Sequence, residues 1–224
     1  MKTLTTTFAA LSFAMAISFG AVARAEGVAR FESIPDKSKV AVDGTSTMHD
    51  WTVKSRNISG HIAFKFDVAP DAPAQIIREA IVANPSAEVD VTIEVKSLKS
   101  GDKAMDKKMY EALKRDDHPT ITYRLTKIEL AKGTTAEQTR FDVDTTGDLT
   151  IAGTTRELQM PMVLEVVDAQ HLRISGQVPM KMTTYKVKPP EAMLGMIKSG
   201  DKIKVAFEWN SKRAADAHVA AKRD

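Results

Sequence analysis

The sequence predicts an all-β protein, mainly an antiparallel β-barrel of about eight strands with two or three short helices. Three observations predict it. Apolar residues alternate with polar ones along much of the chain, so each strand has one apolar and one wet face. Short glycine-bearing connectors separate these runs. The chain has 224 residues, 43% of them hydrophobic, which is enough to fill one core, and no linker divides it. One-faced strands suit an antiparallel sheet, because parallel strands are usually covered on both sides. A sandwich would also bury the apolar faces, but a barrel abolishes sheet edges as well. An outer-membrane barrel with its apolar side outward needs aromatic girdles and long uniform strands. Only 13 Phe, Trp and Tyr residues occur in the chain, and two helices interrupt the hairpins. A soluble barrel with its apolar side inward fits better.

Residues 1–25 read as a secretory signal peptide. Met1-Lys2-Thr3 gives a positive start, Phe8 to Phe19 is an uncharged apolar run, Gly20 breaks it, and Ala23-Arg24-Ala25 offers small residues for cleavage. The run is too short to span a bilayer comfortably. Cleavage after Ala25 removes Lys2 and Arg24 and no acid, which lowers the formal net charge from +3 to +1. A mature chain so near neutrality has no electrostatic case for nucleic acid. No later stretch is apolar enough to be a transmembrane helix. The compartment this predicts is a bacterial periplasm. With no cysteine, disulfides, thiolate metal sites and cysteine nucleophiles are all excluded, and packing alone must hold the fold.

The strands follow in order. Ile62, Phe64 and Phe66 alternate with Ala63 and Lys65; Val89, Val91, Ile93 and Val95 with Asp90, Thr92 and Glu94; Ile121, Tyr123 and Leu125 with Thr122 and Arg124. Met160, Met162, Leu164 and Val166 form one later face; Leu172, Ile174, Val178, Met180 and Met182 form another; Ile203, Val205, Phe207 and Trp209 form the last. Connectors are expected at Asn57–Gly60, Lys132–Thr134, Ile151–Thr154 and Ser199–Asp201. Pro73 suits the first turn of a helix running to about Ala83, stopped by Asn84-Pro85. Asp102 can cap a second helix, which puts Met105, Met109, Ala112 and Leu113 on one stripe and ends before Asp116-Asp117-His118-Pro119. A third short turn is expected at Glu191–Ile197. Residues 26–210 thus form one barrel domain, and 211–224 a polar tail.

Certain runs carry a resemblance. They are Gly44-Thr45-Ser46-Thr47-Met48-His49-Asp50-Trp51, Ile58-Ser59-Gly60-His61-Ile62-Ala63-Phe64, Val95-Lys96-Ser97-Leu98-Lys99-Ser100-Gly101, Asp117-His118-Pro119-Thr120-Ile121-Thr122-Tyr123 and Gly147 to Arg156. In this order and spacing, over about residues 36–209, the chain resembles the YceI-like family of exported bacterial proteins. The resemblance implies a lipocalin-like barrel, some of whose members hold a polyisoprenoid such as a quinone or a polyprenyl phosphate tail. At Met180-Lys181-Met182-Thr183-Thr184-Tyr185 the chain departs from the Arg-Ser-Asp-Phe-Gly-like run of the commoner members.

Candidate ligand-lining residues come from the inward faces: Phe64, Phe66, Val91, Ile93, Ile121, Tyr123, Met160, Met162, Leu164, Met180, Met182, Val205 and Phe207. Methionine is flexible and polarizable, so it suits a pocket that adapts to a floppy chain, and equally a solid core that needs filling. Trp51 is expected at the barrel mouth or at its closed end. His49 is a rim candidate that can bond a ligand head group, or simply make a structural hydrogen bond. His49, His61 and His118 match no metal-ligand spacing, so no metal site is expected. No Gly-x-Ser-x-Gly elbow exists, and Asp116-Asp117-His118-Pro119 reads as a turn. No catalytic residue is assigned. Lys103, Lys107, Lys108 and Lys114 read as a solvated helix face. If that helix lies over the mouth, they can meet a pyrophosphate or an anionic membrane surface.

The function these residues predict is an exported, non-enzymatic binding protein holding an isoprenoid-type lipid or quinone, with no other cofactor. Its rivals are a stress-response or interaction module with a filled core, and an enzyme acting on a hydrophobic substrate. Two histidines lining one pocket beside a carboxylate would favour the enzyme. A homodimer and other protein partners stay open.

Overall fold

The computed structural model describes residues 28–66, 68–69 and 71–214. The expected signal peptide and residues 215–224 of the expected tail lie outside the described residues. In chain order the elements are β1 (Ala29–Ser33), β2 (Lys39–Ser46), β3 (Trp51–Ser55), β4 (Ile58–Phe64), α1 (Ala74–Ala83) and β5 (Ala87–Glu94). Then come α2 (Lys103–Ala112), β6 (Thr120–Leu130), β7 (Arg140–Ile151), β8 (Thr154–Val166), β9 (His171–Lys181), β10 (Glu191–Ala192) and β11 (Ile197–Arg213). The short turn expected at Glu191–Ile197 is strand β10 followed by a 3₁₀ turn at Met193–Gly195.

Eight strands close an antiparallel barrel in the order β1-β4-β5-β6-β7-β8-β9-β11, and β11 returns to β1. Closure depends on the length of β11. Its end pairs with β1 through Phe31↔Arg213, while its middle pairs with β2 through Val205↔Val42. The β2–β3 hairpin therefore completes the wall above β1. Its free edge is tied in turn by a bridge in which Lys54 and Lys99 exchange two backbone hydrogen bonds of 2.8 Å. Among the described residues the edges outside the closed ring are those of the short strands β3 and β10, which limits the usual hazard of edge pairing.

One end of the barrel is a packed core. Phe31, Phe64, Phe141, Leu172 and Val166 are buried there with Ile77 and Ile81 from the inner face of α1. Phe31 meets Phe64 edge-on at 6.3 Å, and Phe64 stacks on Phe66 at 5.2 Å. Arg213 holds the chain that leads into α1. Its guanidinium is buried and donates to the carbonyls of Val68 and Ala69. Arg78 on α1 donates to the Ala136 carbonyl at 2.9 Å, across the β6–β7 loop.

Three expectations about the chain path are corrected. Asn57–Gly60 is not a connector, since Ser59 and Gly60 lie inside β4. Glycine is needed at position 60 because φ is +145° and a Cβ would stand 2.1 Å from the Asp90 carbonyl oxygen. Ser199–Asp201 likewise lies inside β11, at a register shift between Ser199 and Ile203. Gly60 serves close backbone approach and Gly200 makes room for the Thr45 hydroxyl, so neither reverses the chain. The tail boundary at 211 also moves, because Ser211 and Arg213 are buried within β11.

Candidate functional site

The inward side chains do not meet across the middle of the barrel. They surround a cavity of about 560 Å³ that is open at the end opposite α1. Small-molecule sites fall at about 300–1,000 Å³, so the cavity is of ligand size.

Three glycine–aromatic contacts help keep this space open. On the inner wall, Gly44, Gly147 and Gly176 each lie beneath a ring from a neighbouring strand. A Cβ would stand 2.2 Å from Trp51 at Gly44, 2.5 Å from Tyr123 at Gly147 and 2.8 Å from Phe207 at Gly176. The missing Cβ lets each ring lie flat against the sheet instead of projecting into the lumen. Gly176→Val is expected to drive the Phe207 ring inward. The measurement is uptake of a fluorescent apolar probe, which should fall severalfold, with overpacking costing about 1–3 kcal/mol in urea denaturation.

Of the expected lining residues, Val91, Ile93, Ile121 and Tyr123 stand on β5 and β6, and Met160, Met162 and Leu164 on β8; all of them border the cavity. Met180, Met182, Val205 and Phe207 border it too. Phe64 and Phe66 do not. Both aromatic rings belong to the core at the α1 end, because β4 passes below the cavity floor there. Phe207 pairs with Gly176 in register, and Met162 pairs with the same glycine from the other side, so the deep lumen is built around one bare stretch of β9.

The expected α2 stripe also borders the cavity through Met105, Met109, Ala112 and Leu113. The helix lies at the mouth, anchored at both ends. Asp102 caps it, accepting a hydrogen bond from Met105 N at 2.8 Å. Buried Asp106 accepts from Ser100 N and Ser100 Oγ, both at 2.7 Å. The Tyr110 hydroxyl donates to the Leu98 carbonyl at 2.8 Å and accepts from Lys99 Nζ at 2.7 Å, which raises the Lys99 pKa. These bonds make α2 continuous with the strand bridge at Lys99. The stripe was legible as an apolar face, but its destination was not, since nothing local says that the helix covers a mouth.

The mouth carries the polar groups. His49, Ser46, Asp102, Lys108, Lys181 and Glu191 all border it. Trp51 is at the mouth, where its Nε1 donates to the Thr45 carbonyl at 3.0 Å. His49 stands beside it with Nδ1 3.0 Å from the Asp50 carbonyl, so one ring nitrogen has a structural role. The 3₁₀ turn Met182–Tyr185 occupies the place where the chain departs from the Arg-Ser-Asp-Phe-Gly-like pattern. It is held by Asp201, whose carboxylate accepts from Thr183 N at 2.9 Å and Thr183 Oγ1 at 2.8 Å. Those two hydrogen bonds hold the Asp201 pKa below its ordinary value.

His118 does not border the cavity. Its ring packs on Gly153 in the β7–β8 turn. The three histidines are therefore not brought together. Among the described residues, one trio of metal-ligating types converges instead, His61 with Glu88 and Asp90 on the outer wall. Arg124 Nε already engages the Asp90 carboxylate there at 2.8 Å.

The hydroxyl of Tyr123 is buried in the wall beside the Thr145 hydroxyl, with no hydrogen bond of good geometry among the described residues. Burial pushes its pKa up. The neighbouring Thr145 hydroxyl donates to the Met160 carbonyl at 2.7 Å. An unpaired buried hydroxyl costs about 1–3 kcal/mol. Tyr123→Phe is therefore expected to leave stability unchanged or raise it by about 1 kcal/mol in thermal or urea unfolding. A clear loss would reveal a partner for this hydroxyl.

No described helix is long and apolar enough to cross a membrane. Comparison with known proteins agrees with the geometry. A family model described as the YceI-like domain matches residues 31–210. Burkholderia cenocepacia BcnA is similar in fold, with 18% identity and a TM-score of 0.57, covering 80% of this chain and 98% of that one. A polyisoprenoid binding domain from Saccharophagus degradans, implicated in plant cell wall breakdown, has 12% identity and a TM-score of 0.57, covering 84% and 100%. The Campylobacter jejuni YCEI protein has 17% identity and a TM-score of 0.51, covering 73% and 85%. At these identities the likeness is one of fold. No curated protein sequence matches the chain.

Proposed function

Since the chain belongs to the YceI-like domain family, we propose that it is an exported periplasmic binding protein that holds a long apolar ligand, an isoprenoid lipid or quinone, in its lumen. The observation that carries this reading is the lumen itself: about 560 Å³, closed by packed aromatics at one end, open at the other, and walled almost wholly by apolar side chains. A hydrocarbon chain asks for no hydrogen bonds from such a wall. Each buried CH₂ contributes about 0.8 kcal/mol, so ten contribute about 8 kcal/mol before ordering costs. The methionines Met160, Met162, Met180 and Met182 present adaptable surface to it. The polar mouth suits a head group left in water.

The filled-core alternative loses its basis, because the inward faces border space instead of interlocking. The enzyme alternative would be favoured by two histidines beside a carboxylate in one pocket. His49 is at the mouth and His118 is not, and the Asp102 carboxylate there is engaged as a helix cap. The name of the Saccharophagus degradans domain supports the ligand class. Organic extraction of protein purified from its native periplasm, followed by mass spectrometry, is expected to yield an isoprenoid at near one per chain. Repeated recovery of protein without any such lipid would refute the reading.

A further inference from the structure

We propose that the open end of the barrel is a docking surface for an anionic phospholipid bilayer. Met48, Leu194 and Met196 enter the bilayer surface, and the surrounding lysines meet lipid phosphates. This rests on the reading of the lumen as a lipid site and adds where the lipid enters and leaves.

The three most exposed large apolar side chains among the described residues stand at this end, while Val28, Ile76 and Val167, less exposed, lie elsewhere. Leu194 is fully exposed, Met196 is 71% exposed and Met48 is 64% exposed. They stand on two loops joined to each other. Thr47 N donates to the Lys198 carbonyl at 3.0 Å, and Thr47 Oγ1 donates to the Met196 carbonyl at 3.1 Å. The three apolar side chains therefore form one fringe. It is continuous with the lumen, because Ser46, Pro190, Ile197 and Ser199, which flank these loops, border the cavity.

Leu194 is also the wrong residue for its backbone. It has φ +55° and ψ +34°, followed by Gly195 at φ +87°. A turn with two successive positive φ values ordinarily takes Asn-Gly or Gly-Gly. A branched apolar side chain there gains nothing from packing, since it projects fully into solvent. Neither turn formation nor core burial accounts for it, whereas entry into a bilayer surface does.

Charge identifies the occupant. Residues 181–198 hold four lysines (Lys181, Lys186, Lys188 and Lys198) against a single acid, Glu191. Lys108 on α2 borders the mouth, as Lys181 does. The acids near them are Glu191, which pairs in register with Lys198, Asp201, which is bound to Thr183, Asp102, which caps α2, and exposed Asp50 on the Met48 loop, which shares its surroundings with Lys54 and Lys99. Apolar tips set among lysines match the interfacial pattern of surface-bound proteins. A protein partner would need complementary shape, which three separately projecting tips do not offer. A long apolar ligand leaving through a mouth seated on a bilayer never crosses water.

The test uses the mature chain and a Leu194→Asp/Met196→Asp double variant; neither residue borders the lumen. Flotation with vesicles of phosphatidylethanolamine and phosphatidylglycerol measures docking. Uptake of retinol, a fluorescent isoprenoid alcohol, from ethanol solution measures the lumen separately. The expected result is that the native chain floats with anionic vesicles, weakly with pure phosphatidylcholine and weakly in 1 M salt. The double variant should lose about tenfold in vesicle partition, equivalent to ~1.4 kcal/mol, and take up retinol normally. Equal flotation of both proteins, or none by the native chain, would overturn the docking proposal. Self-association that depends on these two residues, without vesicle binding, would overturn it in favour of a second copy. Failure of the native chain to take up retinol would instead count against the lumen reading, whatever the vesicles show.

Discussion

Met162→Trp is expected to abolish most lipid loading while leaving the barrel folded. Met162 faces the lumen on β8, opposite Val143 on one side and Gly176 on the other. An indole there occupies the space above the bare Gly176 backbone and the flat Phe207 ring. The lumen can accept the extra volume, so the usual overpacking cost of about 1–3 kcal/mol should fall toward its lower bound. The ligand must retreat instead. Losing two buried methylenes costs it about 1.6 kcal/mol, a little more than tenfold in affinity. The measurement is isoprenoid recovered per chain by extraction, beside the thermal midpoint. Unchanged lipid content at full occupancy would remove Met162 from the ligand path.

Phe64→Ala should do the reverse. The ring is fully buried between Phe31 and Phe66, under α1 and away from the lumen. Truncation leaves a hole that close-packed neighbours cannot fill, and Phe→Ala changes of this kind cost about 3–5 kcal/mol. In a chain of this size that lowers the thermal midpoint by roughly 10 °C. Lipid content of the folded fraction should stay near that of the native chain. A stable variant that has lost its lipid would restore Phe64 to the ligand wall. The two variants together separate the two ends of the barrel, one by ligand and one by stability.

Much of the fold was readable before any coordinates. Period-two alternation marked the second half of β4, β5, the first half of β6, β8, β9 and β11, since side chains on a strand alternate faces whatever the surroundings. Both helices were readable from Pro73 and from Asp102 with its following stripe. Strand β7 escaped because its inward positions include Thr145 and Gly147, and the Tyr123 ring supplies the apolar cover that the local sequence lacks. Past Leu125 the pattern in β6 also fails. A bulge at Thr126 moves the inward set to Ile128 and Leu130. The short strands β1 to β3 give too few alternations to count. The rim was half visible: His49 and Trp51 were named, Leu194 was not, and Met196 reads from the sequence as one of the interior methionines although it stands 71% exposed, because exposure is not a property of a residue's neighbours in sequence.

The sequence by itself determined that the chain is built of one-faced antiparallel strands with two helices, that it has no cysteine chemistry, and which side chains share a face. Those are local matters, settled by strand geometry and composition. Only the tertiary structure decided which inward residues border space and which interlock. Phe64 and Met162 carry the same apolar signal, yet Phe64 meets α1 and Met162 meets a lumen. The difference arises from strand register, which sets bare glycines beneath aromatic rings, and from the two helices, one packed into the barrel end and the other laid beside its mouth. Register and docking are relations between residues far apart in sequence, so no local pattern contains them.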